Sequence, residues 1–126
     1  MKKLDTDQVL YLHNLMCDAT GGFPGIRDLA GLETAIYHAY ASFEWKDLYF
    51  TIEEKSARQA YGIIRNHPFI DGNKRTGLFV MLVFLELNST ILNFNQSELV
   101  FLGNCIADGS VNPEQITDWI LKHKKK

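Results

Sequence analysis

The longest apolar stretch of the chain, Leu78 to Leu87, places the strongest constraint on its fold, because nine of its ten residues are apolar and only Glu86 is charged. A helix needs about 20 apolar residues to span a bilayer, so this stretch is too short to do so. A helix that is apolar on all sides is instead expected to be buried on all sides. The stretch therefore predicts the central helix of a bundle, running from about Asn73 to Leu87.

The segments around this helix repeat their apolar residues at helical spacing, and the chain shows no internal repeat or linker. Residues 41–52 lose this period and are rich in aromatic side chains, which predicts an extended flap or a short hairpin. The other predicted helices run over Asp5 to about Cys17, Asp28 to about Tyr40, residues 51–66 behind a capping box at Thr51, Ser97 to about Asp108, and from Asn112-Pro113 onward. The sequence thus predicts an all-α, compact bundle of about six helices, with residues 1–126 as a single domain.

Composition narrows the possible partners and compartment. A net charge of −2 over 126 residues gives no reason to expect direct binding of nucleic acid or of an acidic membrane. The basic residues of 122–126 follow a helix and are expected to be solvated. The two cysteines, Cys17 and Cys105, lack metal-type spacing and predict apolar thiols in a reducing cytoplasm. The N-terminus has no apolar segment of the kind that a signal peptide needs.

A dense polar motif lies at the start of the predicted central helix, where residues 67–76 read His-Pro-Phe-Ile-Asp-Gly-Asn-Lys-Arg-Thr. The N-terminus of a helix offers unpaired backbone N–H groups and favours anions. Lys74 and Arg75 oppose the helix dipole there, which makes sense if an anion is bound. Gly72 and Asn73 tolerate left-handed backbone that lets successive N–H groups converge on that anion. The motif therefore predicts a phosphate site.

His67 is the candidate general base beside this site, since its ordinary pKa lies closest to neutrality and the turn before Pro68 ends the preceding helix. Phe69 is expected to anchor the loop in the core. Two roles are open to Asp71: it could cap the N-terminus of the central helix, or it could hold a divalent cation such as Mg²⁺ together with phosphate oxygens.

Other polar residues are expected to be structural. His13, His38 and His123 belong to no polar motif, so we expect ordinary packed histidines at these positions. For Arg27 and Asp28, a helix cap with its counter-charge is favoured over a functional role.

Residues 67–75 closely resemble the signature of the Fic/Doc superfamily, His-x-Phe-x-(Asp/Glu)-(Gly/Ala)-Asn-(Gly/Lys)-Arg. The resemblance covers nearly the whole chain. The stretches Gly21 to Asp28, Asp47 to Tyr49 and Ile64 to Asn66 are similar to the Doc branch, the death-on-curing toxins. The resemblance implies the Fic fold, a compact helical domain.

The resemblance also implies roles for the motif residues. His67 would deprotonate the hydroxyl of a target protein side chain, and Asp71 would assist through Mg²⁺ or by orienting the target and the base. The phosphates of ATP would be held by five residues: Gly72, Asn73, Lys74, Arg75 and Arg65.

Two departures from the AMP-transferring members concern the reaction: Lys74 replaces a second glycine, and Leu78 stands where a second arginine would be. Doc proteins share the lysine, which implies transfer of the γ-phosphate, with translation elongation factor Tu as the target. Gly72 is Fic-like, which leaves AMP transfer to Ser, Thr or Tyr open as an alternative. A catalytically inactive binding module of the same fold is the second alternative.

Some Fic proteins carry a self-inhibiting helix of the pattern (Ser/Thr)-x-x-x-Glu-(Gly/Asn). The nearest match here, Ser110 to Gln115, fails at its last position. A toxin without an inhibitor of its own implies a separate antitoxin of the Phd type, whose disordered tail folds as a helix into a groove on the toxin.

Overall fold

A computed structural model describes residues 1–125 and shows six α-helices and a small antiparallel hairpin. The helices are α1 (Thr6–Thr20), α2 (Leu29–Tyr37), α3 (Ile52–Asn66), α4 (Asn73–Leu87), α5 (Gln96–Ala107) and α6 (Pro113–His123). The hairpin consists of β1 (Ser42–Phe43) and β2 (Lys46–Asp47). The predicted all-α class and the hairpin within 41–52 are thereby confirmed. None of the helices in residues 1–125 combines the length and apolar character that a membrane span requires.

Local side-chain caps start most of the helices. Asp5, Asn95 and Asn112 each accept a hydrogen bond from the third residue of their helix, and each helix returns the bond through Gln or Glu. Thr51 also caps its helix, but its partner Glu54 accepts from the Thr51 hydroxyl instead of from the backbone, so the predicted capping box is only half formed. The second helix is shorter than predicted, because a 3₁₀ turn over His38–Tyr40 follows it.

The α4 helix runs through the middle of the bundle and packs against α3 along its length. Its buried side chains join two core clusters: Met81 and Leu85 lie in the cluster that includes residues of α5 and α6, whereas Val80 and Phe84 lie in the cluster that includes residues of α1 and α2. The expectation of burial on all sides is wrong for part of the helix. The side chains left half-buried or exposed are those of Phe79, Leu82, Val83 and Leu87. Phe79 and Leu82 remain partly open because α1 and α5 cover α4 from two sides and leave a groove between them, and Val83 lines a second cavity beside α1.

The basic segment after α6 is bound to the body of the protein and is not simply solvated. Its backbone pairs with residues 91–93: the Lys125 N–H donates to the Ile91 carbonyl at 2.8 Å, and the Asn93 N–H donates to the His123 carbonyl at 2.7 Å. The Lys124 ammonium donates to the Glu53 carboxylate at 2.7 Å. Burial alone would raise the pKa of Glu53, but the hydrogen bond and charge of Lys124 hold it below its usual value. Lys126 lies outside the described residues.

Candidate active site

The motif forms a loop between α3 and α4. Helix α3 ends at Asn66, and His67 takes a left-handed conformation with φ 48° and ψ 55°. Phe69 is buried and anchors the loop as predicted. The loop closes at Gly72, which is also left-handed with φ 78°, and α4 begins at the next residue. The break of the helix before Pro68 is thus confirmed.

A second loop, residues 22–28, holds the motif loop in place. The N–H groups of Arg27 and Asp28 donate to the Pro68 carbonyl at 2.8 and 3.0 Å, and a β-bridge pairs Ile26 with Phe69. The guanidinium of Arg27 donates to the carbonyls at the end of α3, those of Asn66 and His67.

The expected pairing of Arg27 with Asp28 as counter-charges is therefore wrong. Asp28 caps α2 by accepting from the Gly31 N–H at 2.9 Å, as predicted. Arg27 instead caps the C-terminus of α3, because the carbonyls at that end of a helix attract a cation.

The side-chain amide of Asn73 holds the motif loop through two hydrogen bonds, which are called the Asn73 clasp below. The Asn73 Oδ1 accepts from the Phe69 N–H at 2.9 Å, and its Nδ2 donates to the Phe69 carbonyl at 3.0 Å. With the side chain held against the loop in this way, the backbone N–H of Asn73 is its donor at the start of α4.

Asp71 does not cap α4, so this predicted role is wrong. Its carboxylate accepts from the N–H groups of Phe23, at 3.1 Å, and Gly72, at 2.9 Å, and Gly72 holds the cap position itself without any side-chain cap. The carboxylate is exposed, and each oxygen retains a lone pair for a further ligand.

The start of α4 offers backbone donors to a cavity. The first backbone bond of the helix runs from the Thr76 N–H to the Gly72 carbonyl, at 2.9 Å. Within residues 1–125, the N–H groups of Asn73, Lys74 and Arg75 have no hydrogen-bond partner, and the first turn contains no acidic residue. These residues line a cavity of about 390 Å³, closed on the other side by three residues of α5, Val100, Gly103 and Asn104.

The two cations of the motif behave differently. The Lys74 ammonium crosses to α5 and donates to Asn104 Oδ1 at 3.1 Å. The Arg75 guanidinium makes no hydrogen bond to any of residues 1–125 and lies at the border of this cavity and the apolar groove beside it. Arg75 is thus the cation best placed to meet an incoming anion.

Two predicted site residues do not line the cavity. The side chain of His67 is exposed at the end of α3 and forms no hydrogen bond to the described part of the chain. Arg65 donates to the Ala107 carbonyl at 2.9 Å and so contacts the C-terminus of α5. A phosphate-binding role for Arg65 stays a prediction.

Sequence reasoning missed the relation of His13 to the motif. The His13 ring is 2% exposed, stacks on the Phe69 ring at 3.8 Å between centroids, and places Nε2 at 2.9 Å from the Asp71 carbonyl. Nothing in the local sequence indicates this contact, because 58 residues separate the two partners.

The other predicted structural groups are confirmed as such. Cys17, one turn after His13, is a buried free thiol whose pKa is raised by burial and by the charge of Asp71, and Cys105 is a half-buried free thiol. His38 accepts from Arg58 at 3.0 Å, and His123 pairs with Glu98 at 2.7 Å, both away from the cavity.

The sequence profile described as the Fic/DOC family matches residues 3–85 of the chain, a span that includes the whole motif loop. The chain belongs to the Fic/DOC family. It is similar to "Protein kinase doc" of Escherichia phage P1, with 29% identity over 122 residues, 97% of this chain and 95% of that relative. It is also similar to "Toxin Doc" of Mycolicibacterium smegmatis, with 33% identity over 89 residues, 71% of this chain and 66% of the relative. These relatives place the chain in the Doc toxin branch of the Fic/DOC family.

Proposed function

We propose that this chain transfers a phosphate group from ATP to a hydroxyl side chain of a target protein, as the toxin of a cytoplasmic toxin–antitoxin pair. The observation that carries the proposal is the start of α4, where unpartnered backbone donors and Arg75 face one cavity. Such a helix N-terminus binds phosphate without further side chains. The phage relative is named as a protein kinase, which supports phosphate as the transferred group.

In the proposed reaction His67 accepts the proton of the target hydroxyl. The hydroxyl oxygen forms a bond to the γ-phosphorus of ATP, the bond from that phosphorus to the bridging oxygen breaks, and ADP leaves. The backbone N–H groups of 73–75 and the Arg75 guanidinium stabilise negative charge on the phosphates during the transfer. The exposed side chain of His67 suits this role, because no hydrogen-bond partner within residues 1–125 competes for its ring nitrogens.

The donor set fits a Mg²⁺ ion bound through Asp71. Mg²⁺ prefers one or two carboxylates together with substrate phosphates, and the Asp71 carboxylate is exposed at the edge of the phosphate cavity. When bound, the ion would neutralise charge on the phosphates. The hydrogen bonds from Phe23 and Gly72 fix the orientation of this carboxylate before any ligand arrives.

AMP transfer is the second candidate, in which the hydroxyl attacks the α-phosphorus and pyrophosphate leaves. The left-handed Gly72 favours it, because this glycine is shared with AMP-transferring members of the family. Two observations favour phosphate transfer instead. Lys74 extends across the cavity to Asn104, and the position of the missing second arginine is held by Leu78, which is buried against Gly103.

We further propose a Phd-like antitoxin whose tail binds as a helix in the groove between α1, α4 and α5. This groove has a volume of about 270 Å³ and is lined mainly by apolar side chains, including Met16, Phe79, Leu82 and Leu99. It meets the phosphate cavity at Arg75, so an acidic side chain on the tail could pair with the guanidinium. Translation elongation factor Tu remains the proposed target on the family resemblance alone.

The proposal is tested with ATP labelled at the α- or the γ-phosphate, incubated with the purified chain, Mg²⁺ and elongation factor Tu. We expect label on the target from γ-labelled ATP only. Label from the α-position would establish AMP transfer instead. Absence of label from both positions, on purified factor and in a cell extract, would contradict both enzymatic candidates.

The base is tested by His67→Ala, which we expect to abolish labelling and growth arrest while the helical circular dichroism stays unchanged. His123→Gln is the matched control, because that histidine lies far along the chain at the end of α6 and does not line the cavity. Labelling that survives His67→Ala would show that another group accepts the proton.

A further inference from the structure

The buried His13 contacts the motif loop at one backbone atom, the carbonyl oxygen of Asp71. We infer that His13 is a positioning residue that holds the peptide group between Asp71 and Gly72 in its phosphate-binding orientation. The inference rests on the proposed function, because it concerns how the same site binds the phosphates of ATP.

The geometry of the peptide group explains how a contact to its oxygen also orients its N–H. In a trans peptide the carbonyl oxygen and the amide hydrogen point in opposite directions. The Asp71 oxygen points inward, 2.9 Å from the buried His13 Nε2. The Gly72 N–H therefore points outward, where it meets Asp71 Oδ1 at 2.9 Å beside the cavity. One inward hydrogen bond thus sets the direction of the Gly72 N–H and of the Asp71 carboxylate that this N–H holds beside the cavity.

A restraint is needed because Gly72 is the flexible point of the turn. It has φ +78°, and glycine populates both signs of φ with similar ease. The backbone of Gly72 itself would therefore offer little resistance to a flip of the 71–72 peptide. The flipped peptide would turn its carbonyl oxygen toward the cavity, where that oxygen would repel phosphate. It would also leave the buried His13 N–H without its carbonyl acceptor, which disfavours the flip.

The surroundings of His13 hold the ring itself still. Its ring stacks on the buried Phe69 with an angle of 7° between the planes. The Cys17 Sγ lies 3.5 Å from the same Nε2 and is a weak hydrogen-bond partner, so the Asp71 carbonyl is the strong acceptor in reach. Any aromatic residue could supply the stacking contact, whereas the N–H donor requires a nitrogen at this position. Mutation can therefore remove the N–H donor of His13 while keeping the stacked ring.

The test compares His13→Phe, which keeps a stacked ring and removes the donor, with His13→Gln, which keeps a side-chain N–H donor. Leu12→Ala is the matched control for loss of packing, since Leu12 lies in the same helix as His13 and is buried in the core cluster that contains Phe69. Binding of ATP with Mg²⁺ is measured by calorimetry without target, thermal unfolding by circular dichroism, and phosphate transfer by kcat and KM.

We expect His13→Phe to raise the Kd for ATP by about tenfold, the equivalent of about 1.4 kcal/mol and the scale of one well-placed hydrogen bond. KM for ATP should rise with Kd while kcat stays within about twofold, because the lost contact serves ground state and transition state alike. His13→Gln should recover most of the affinity. Leu12→Ala should lower the melting temperature and leave Kd unchanged.

Three results would overturn the inference while leaving the proposed function intact. An unchanged Kd in folded His13→Phe would show that the donor does not matter. Equal loss of affinity in His13→Phe and His13→Gln would assign the effect to ring shape. A fall in kcat at constant KM would indicate only a smaller folded fraction. By contrast, absence of ATP binding by the unmodified chain would contradict the proposed function itself, and the inference with it.

Discussion

At the scale of single residues, Asn73 and His67 have different roles in the motif: one is structural and the other is the proposed reactive group. Asn73 spends both ends of its amide on the backbone of Phe69, so it shapes the loop. His67 keeps an exposed side chain, and its left-handed backbone is supported by Arg27 from the neighbouring loop. A reactive side chain must be accessible and must be held by a rigid backbone. His67 provides the accessible side chain, and Asn73 makes the loop rigid.

Replacing Asn73 by alanine tests the clasp. The change removes two hydrogen bonds to a partly buried backbone segment, at about 1 kcal/mol each, so we expect the free energy of unfolding to fall by about 2 kcal/mol. Urea unfolding followed by circular dichroism measures the change. Asn104→Ala is the control, because within residues 1–125 that exposed amide hydrogen-bonds only with the Lys74 ammonium, so its loss should cost less than about 0.5 kcal/mol. Equal effects of the two variants would contradict the clasp.

At the scale of elements, the hairpin is too short to be stable without a contact to the helices. Its strands have two residues each, and its turn places Glu44 and Trp45 at positive φ, 51° and 68°. Short isolated hairpins are marginally stable in water. Lys55 of α3 supplies the anchor: it is 2% exposed, and its ammonium donates to the Tyr49 carbonyl and, at 3.2 Å, to the Asp47 carboxylate.

We expect Lys55→Met to free the hairpin without unfolding the helices. Methionine fills similar space but gives no donor to Asp47 or to Tyr49, so trypsin should cut faster after the exposed Lys46. Limited proteolysis with mass spectrometry measures the rate, and circular dichroism checks the helices. Lys124→Met removes an ion pair from the same helix, that with Glu53, and should leave the cutting rate unchanged. A rate in Lys55→Met equal to that of the parent chain would contradict the anchor.

At the scale of the whole molecule, two histidines make stability depend on pH in opposite directions. The hydrogen bond to the Trp119 carbonyl and the partner Glu98 raise the pKa of His123, although burial opposes them. Burial and the cation of Arg58 lower the pKa of His38. His123 therefore stabilises the fold below its unfolded pKa of about 6.5, and this contribution is lost as pH rises through its folded pKa. His38 destabilises the fold as pH falls below about 6.5, because its protonated form is disfavoured.

His123→Gln should consequently lower the melting temperature more at about pH 5.5 than at about pH 8.5, since only the protonated ring can donate to both the Trp119 carbonyl and the Glu98 carboxylate. Comparing variant and parent at each pH cancels the titration of all other groups. His38→Gln should show the opposite trend, with its melting temperature improving relative to the parent chain as pH falls. Equal losses at both pH values for His123→Gln would contradict the assigned pKa direction.

The features predicted correctly from the sequence are those that depend on near neighbours. The bounds of α4, the caps at Asp28 and Asn112, and the break before Pro68 each arise from contacts within four residues along the chain. The wrong predictions share the opposite property. A cap on α4 is one of two roles that the sequence leaves open for Asp71, but Gly72 holds the cap position, and the Asp71 carboxylate accepts from the N–H of Phe23 in a distant loop.

The sequence by itself therefore determined an all-α fold, a polar motif at the foot of an apolar helix and membership of the Fic/DOC family. Only the tertiary structure decided what holds that motif in shape: His13 under the Asp71 carbonyl and Arg27 at the end of α3. The physical reason is the separation along the chain over which each interaction acts. Capping and hydrophobic period act over one or two turns of chain, whereas these hydrogen bonds join partners 58 and 39 residues apart, which only the packing of α1 and the 22–28 loop against the motif brings together.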